Sequence, residues 1–218
     1  MKYFRAVLVS LCAGLIGLIG ARAQPSNLPP LPPPASSKTN TLHHLDLVGE
    51  YKRPWNENYD WWSLGAIAFG KMLNEHNALD AVFSGGVIEL KPGGPADRGA
   101  HQPIFLELGP AWRYYLKLRS AAWNPYATAG AGLLWTTWEY RQPVKSKDLG
   151  FITRDYLEGI DGYIGLGFDW RLGRHLDAFS EVNLGGTAFA SQTYSGIHND
   201  LLANSGYIAA RGGFRLKF

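Results

Sequence analysis

The sequence is nearly free of sulfur. Its one cysteine is Cys12, and there are two methionines in 218 residues. A disulfide framework, a cysteine-ligated metal and a cysteine nucleophile are therefore excluded everywhere beyond position 12. A block of like charge is also missing. The formal net charge is +3, but Lys2, Arg5 and Arg22 lie in the first 23 residues, which contain no acid. The other 195 residues carry 18 basic and 18 acidic side chains. Nucleic-acid binding thus has no electrostatic footprint, and no nucleic-acid partner is expected. From Thr41 onward there is no sustained 3.6-residue periodicity. There is also no phosphate loop, no dinucleotide fingerprint and no HExxH, so no cofactor is expected.

What is present begins with an address. Lys2 and Arg5 form a charged start, Ala6 to Gly20 an apolar run of 15 residues, and Ala21-Arg22-Ala23 a small-x-small cleavage site. This predicts a secretory signal over residues 1–23. Fifteen residues interrupted by Gly14 and Gly17 fall short of the ~20 that a membrane-crossing helix needs. Residues 24–40 hold six of the 13 prolines. They read as an extended Pro-rich linker on the periplasmic side, unable to pack a core.

The body, residues 41–218, reads as eight strands with period-2 character: 42–53, 61–73, 77–91, 103–118, 125–141, 160–172, 176–190 and 205–218. In the last, Ile208, Ala210, Gly212, Phe214, Leu216 and Phe218 alternate with Tyr207, Ala209, Arg211, Gly213, Arg215 and Lys217. The connections alternate in length. The odd ones have 7, 11, 18 and 14 residues, the even ones 3, 6 and 3. Long loops on one side and short turns on the other are the pattern of an up-and-down outer-membrane barrel. The predicted fold class is all-β, an eight-stranded antiparallel up-and-down transmembrane β-barrel. Both chain ends are expected on the periplasmic side.

Aromatic residues give a second indication. The assignment places Tyr51, Trp61, Trp62 and Trp135 near the outer rim. Trp112, Tyr114, Tyr126, Trp170, Phe214 and Phe218 fall near the inner rim, where amphipathic rings suit a membrane interface. The apolar faces are expected to meet lipid. Glu107, Arg113, Asp161, Asp169, Arg171, Glu181, Arg211 and Arg215 are expected inside, as paired ions in a lumen filled by side chains.

The chain end Gly-Gly-Phe214-Arg-Leu216-Lys-Phe218 resembles the C-terminal signal of bacterial outer-membrane barrels. Asn124-Pro-Tyr126-Ala-Thr-Ala-Gly130-Ala-Gly132 is similar to the fifth strand of the OmpA-like and opacity-like small barrels. The resemblance implies outer-membrane lipid and lipopolysaccharide as surroundings, and the barrel-assembly machinery as a partner that reads Phe218. The lipid A deacylase barrels are similar in size and strand count, and their activity depends on a His-x-Ser pair. None of the six histidines here is followed by Ser two positions on, so that activity is not carried over. Ser195, His198 and Asp200 place a nucleophile, a base and an acid in one loop, a composition that is ordinary for turns. His43-His44-x-Asp46 has metal-binding residue types, but adjacent strand residues face opposite sides. No catalytic, cofactor or metal residue is therefore predicted. The expected role is non-enzymatic, structural or through external loops. The loop 142–159, with Lys145, Lys147, Asp148, Arg154, Asp155 and Glu158, is the longest and most charged, a mixed-sign composition that is ordinary for a solvated surface. The alternatives are a lipid A acyl hydrolase, a soluble periplasmic binding barrel of lipocalin type, and a small pore.

Overall fold

The computed structural model describes residues 43–94, 99–117 and 122–218. The expected signal segment and Pro-rich linker lie outside the described residues. Eight strands follow one another: β1 His43–Pro54, β2 Tyr59–Met72, β3 Asn77–Leu90, β4 Ile104–Tyr115, β5 Trp123–Ser146, β6 Gly150–Arg171, β7 Leu176–Phe189 and β8 Ser205–Lys217. Each pairs antiparallel with the next, and β1 also pairs with β8, so the sheet closes on itself. Closure leaves no edge strand, which removes the unpaired backbone that hydrocarbon cannot tolerate.

The alternation in the sequence sets the facing. Leu47, Ile67, Phe83, Leu106, Leu133, Ile164, Leu166, Val182, Leu184, Ile208 and Leu216 all lie exposed on the outside. Asp46, Glu50, Asp80, Glu107, Arg113, Asp161, Asp169, Glu181 and Arg215 are buried inside. A belt of exposed aliphatic side chains around a charged interior is the facing of a membrane barrel. It is the reverse of what a soluble binding barrel requires.

The barrel fits its large inward rings by pairing them with glycine. Tyr126 lies opposite Gly167, Tyr163 opposite Gly130, and Tyr207 opposite Gly185. A Cβ at any of the three glycines would come within 2.4 to 2.5 Å of the facing tyrosine ring. The glycines are thus the space that the rings occupy.

The structure corrects several expectations. The segment 142–159 is not a long loop. β5 and β6 continue through it as a hairpin closed by a three-residue turn, 147–149, and by Gly150 at φ 75°. Lys145, Arg154, Asp155 and Glu158 are strand residues, and only Lys147 and Asp148 of the named charges sit in the turn. Where β4 stops pairing at Ile104↔Thr137, β5 runs on for nine more residues with β6 as partner. Pairing lapses between Glu139 and Val144, and Pro143, which has no N–H to give, falls inside that bulge. The first connection shrinks to 55–58, so the length asymmetry rests on 91–103, on 190–204 and on the hairpin. Three sequence-assigned residues face otherwise than expected. Arg171 lies exposed at a strand end instead of inside. Trp62 and Tyr126, assigned to the rims, are each 1% exposed in the lumen.

Candidate functional site: the filled lumen and the far-end crown

Both described chain ends lie at one end of the barrel, called here the near end. The lumen there is ionic. Arg215 grips Asp46 with both nitrogens of its fork, Nε to Oδ1 at 2.8 Å and Nη2 to Oδ2 at 2.9 Å. Arg113 Nη2 donates to the same Oδ2 at 2.8 Å and sets Nη1 3.0 Å from Asp80 Oδ2. Arg215 also donates to Asp169 and to the Tyr115 hydroxyl. His44 Nε2 lies 2.8 Å from Asp80 Oδ1. These residues come from β1, β3, β4, β6 and β8, so the cluster ties distant strands together. One tier further up, Arg211 joins Glu50 at 2.9 Å and Glu181 at 3.4 Å across the Tyr163 ring. Above that, Lys52 is 3.2 Å from Asp161 and 3.3 Å from Glu107, and Tyr207 donates to Asp161 at 2.8 Å.

Ligand atoms of His44, Asp46 and Asp80 fall within 4.8 Å of one another, which is a metal-ligand spacing. The donors are nevertheless committed. Both Asp46 oxygens accept from guanidinium groups, and Asp80 is shared between His44 and Arg113. A cation there would sit against two fixed positive charges, and the contacts this trio makes are those of an ion-pair node. The sequence pair His43-His44 splits across the wall, with His43 outside and His44 inside.

The far end of the lumen is filled by hydrocarbon. Tyr59, Trp62, Leu64, Ile88, Phe105, Leu134, Trp138 and Leu157 form one buried cluster. Ala100 and Leu202, from the connections 91–103 and 190–204, close it from above. Trp62 packs against Phe105 and Phe189 at ring distances of 5.5 and 6.3 Å. Loop residues thus serve as a lid on a plug that strand residues build.

Above the plug stands a crown made from the β5–β6 hairpin and the two long connections. His101 N donates to Glu139 O at 2.8 Å, and Arg141 Nε to Ala100 O at 3.1 Å. Ser195 is buried, its Oγ donating to Asp155 Oδ1 at 3.1 Å and its carbonyl accepting from Ser146 Oγ at 2.9 Å. Tyr194 stacks on Tyr156 with centroids 4.2 Å apart. Burial pushes the Tyr140 hydroxyl up to about 12, and it donates to Asp155 Oδ2 at 3.4 Å. On the exposed surface, Arg154 pairs with Glu139 and holds that carboxyl below its usual range.

The sequence-level trio Ser195, His198 and Asp200 is not assembled. Ser195 belongs to the Asp155 bond. His198 lies 3.9 Å from Asp200, with both side chains largely in solvent. Asp155, on β6 and 40 residues away, is the partner that the sequence does not reveal. The crown also exposes Leu149, Phe151 and Tyr194.

No known protein family matches the sequence, and no curated protein matches it. Solved structures do. Neisserial surface protein A shares the fold at a TM-score of 0.50 and 13% identity, over 82% of this chain and 97% of that one. The N-terminal β-barrel domain of Pseudomonas aeruginosa OprF follows at 0.43 and 15%, over 81% and 97%. The outer membrane protein OprG of the same organism gives 0.41 and 15%, over 81% and 95%. At such identities the likeness to the Neisserial protein carries the fold alone. The chain has the fold of the small eight-stranded outer-membrane barrels, as its last strand leads one to expect.

Proposed function

We propose that this chain is a non-conducting barrel of the bacterial outer membrane whose work is done by its crown, as a surface-interaction protein. The single observation that carries this reading is the double filling of the lumen, ionic at the near end and apolar at the far end. A conduction path would need a continuous polar channel, which the Trp62–Leu134–Trp138 plug does not leave. The near end is periplasmic, since both chain ends gather there and the connections 73–76 and 172–175 are tight. The far end is external, and its crown is built rigidly enough to present Leu149, Phe151 and Tyr194 to solvent. Rigid exposed aromatic and aliphatic side chains are what a binding surface uses, because little side-chain entropy remains to be lost.

The Phe218 end, exposed and joined to His43 by two backbone hydrogen bonds of 3.1 and 3.0 Å, is the element offered to the barrel-assembly machinery. The signal segment over 1–23 and the tether over 24–40 belong to the same reading.

The test is a pair of crown variants in whole cells. Phe151→Ser with Tyr194→Ser removes the exposed rings. Replacement of 140–153 by a short turn removes the tip of the β5–β6 hairpin. Both should leave heat-shifted gel mobility intact and lower cell adhesion to matrix proteins or to purified lipopolysaccharide by about tenfold. Adhesion unchanged in both variants, with the barrel still folded, would overturn the surface role. Altered lipid A acylation in a deletion strain would overturn the non-enzymatic part.

A further inference from the structure

The outer wall carries a groove at the near end, across β2, β3 and β4. It measures 690 Å³ and is almost wholly apolar. The strand register explains it. Phe69, Ala81 and Pro110 form one row across three strands, and the small Ala81 and the flat Pro110 leave a depression beside the large Phe69. The next row toward the near end is Lys71, Leu79 and Trp112, with His43 paired to Lys71 on β1. At Gly109 and Pro110 the pairing of β4 with β5 also lapses.

Two features of this groove go together. Its body is hydrocarbon. Its near-end rim carries Lys71, which has no ion-pair partner among the described residues, and His43, whose ring stacks with that of Phe218 at 6.4 Å. A lone ammonium on the lipid-facing wall has to reach the headgroup level to stay hydrated. There it meets phosphates. The tail-shaped depression and the cationic rim are therefore complementary to a single amphiphile with an anionic head and an alkyl chain.

We propose that the groove binds one diacyl glycerophospholipid of the periplasmic leaflet. One acyl chain lies along Ala81 and Pro110 between Phe69 and Leu79, and the phosphate sits against Lys71 and His43. The inference rests on the membrane reading and on the near end being periplasmic. Its ligand is a lipid of the inner leaflet rather than the lipopolysaccharide that faces the crown. Bulk lipid covers every outward face, and this one adds a recess and an unpaired cation, so exchange should be slow here.

The test uses the full chain, refolded in detergent and washed free of lipid. Phosphatidylglycerol is then added at a few equivalents, and native mass spectrometry counts what each protein retains. The wild type should hold one phospholipid after the excess is stripped. Lys71→Glu should lower the retained fraction about tenfold, because a phosphate contact becomes a repulsion. Ala81→Trp, which fills the recess from the lipid side, should abolish retention. Leu184→Trp on the opposite wall should leave it unchanged. Diacylglycerol, with the same tails and no phosphate, should be lost from the wild type. Equal retention by all four proteins, or no retention by the wild type, overturns the site. Retention of diacylglycerol overturns the phosphate contact. A mass of two chains, relieved by Ala81→Trp, would assign the groove to self-association instead. Preference for a lipid A over phosphatidylglycerol overturns the leaflet assignment. Heat-shifted mobility and detergent dependence, measured on the same samples, keep a failure of the membrane reading separate from a failure of the groove.

Discussion

The two halves of the lumen are filled by opposite chemistry. The near half holds Asp46, Asp80 and Asp169 around Arg113 and Arg215, a network that joins five of the eight strands. The far half holds Trp62, Phe105, Leu134 and Leu157 in a cluster without a charge. Both exclude water, but they differ in how they fail. An ionic node has few members, and each is needed by several others, so removing one strands its partners as buried charges. A packed apolar cluster spreads its contacts, so a truncation costs the lost transfer energy and a residual cavity. The near half should therefore be the less forgiving of the two.

Single substitutions sharpen or break that contrast. Asp46→Ala takes one carboxylate from two guanidinium groups at once, leaving Arg113 with Asp80 and Arg215 with Asp169, and should cost about 3–5 kcal/mol. Urea unfolding followed by tryptophan emission would read it. A loss no larger than that of a plug variant would contradict the contrast. Leu134→Ala in the plug should cost about 2–4 kcal/mol, and the loss should not depend on salt. Gly167→Ala, which drives a methyl against the Tyr126 ring, should cost about 1–3 kcal/mol through overpacking. Ser195→Ala, in the crown, should cost about 1 kcal/mol. The loss should appear as faster hydrogen exchange in 190–204, with the barrel strands unchanged. The smallest effect belongs to Glu139→Gln, which should leave global unfolding where it is. The Glu139 carboxyl is held low by Arg154, so its pairing is complete above its ordinary value of 4.5 and is lost as the pH falls through the lowered one. Carboxyl chemical shifts across an acid titration would show this. A midpoint above 4.5 would contradict the pairing.

How much of this the sequence disclosed follows from where water lies. Within the membrane one face is apolar and the other polar, and alternation reports the strand directly. β8, β4 and most of β6 could be read that way, residue by residue. β1 carried the same signal in His44, Asp46, Glu50 and Lys52 against Leu45, Leu47 and Tyr51. Val48, on the same side between Asp46 and Glu50, interrupts it. In β2 the alanines and glycines on both faces blur the pattern, and Trp62 was placed by its height along the strand without its facing. Above the membrane both faces are wet, so alternation fades while backbone pairing persists. That is why 142–159 looked like a charged loop and proved to be a hairpin. The Ser195–Asp155 bond has no local signal, because 40 residues, including all of β7, separate the two. The plug was hidden for a related reason. Its rings sit on inward positions, where an apolar side chain breaks the alternation that marks a strand elsewhere in the barrel.

The central claim is that the lumen is closed twice, by the ionic node and by the apolar plug. Single-channel recording of the refolded full-length protein in a planar bilayer tests it most directly, with detergent alone and a large porin as controls. The account predicts silence from the wild type. It also predicts silence from Trp62→Ala, because the Asp46–Arg215 node still blocks the near half when the plug is loosened. Reproducible stepwise currents from the wild type, at a frequency that scales with the amount of folded barrel, would contradict it.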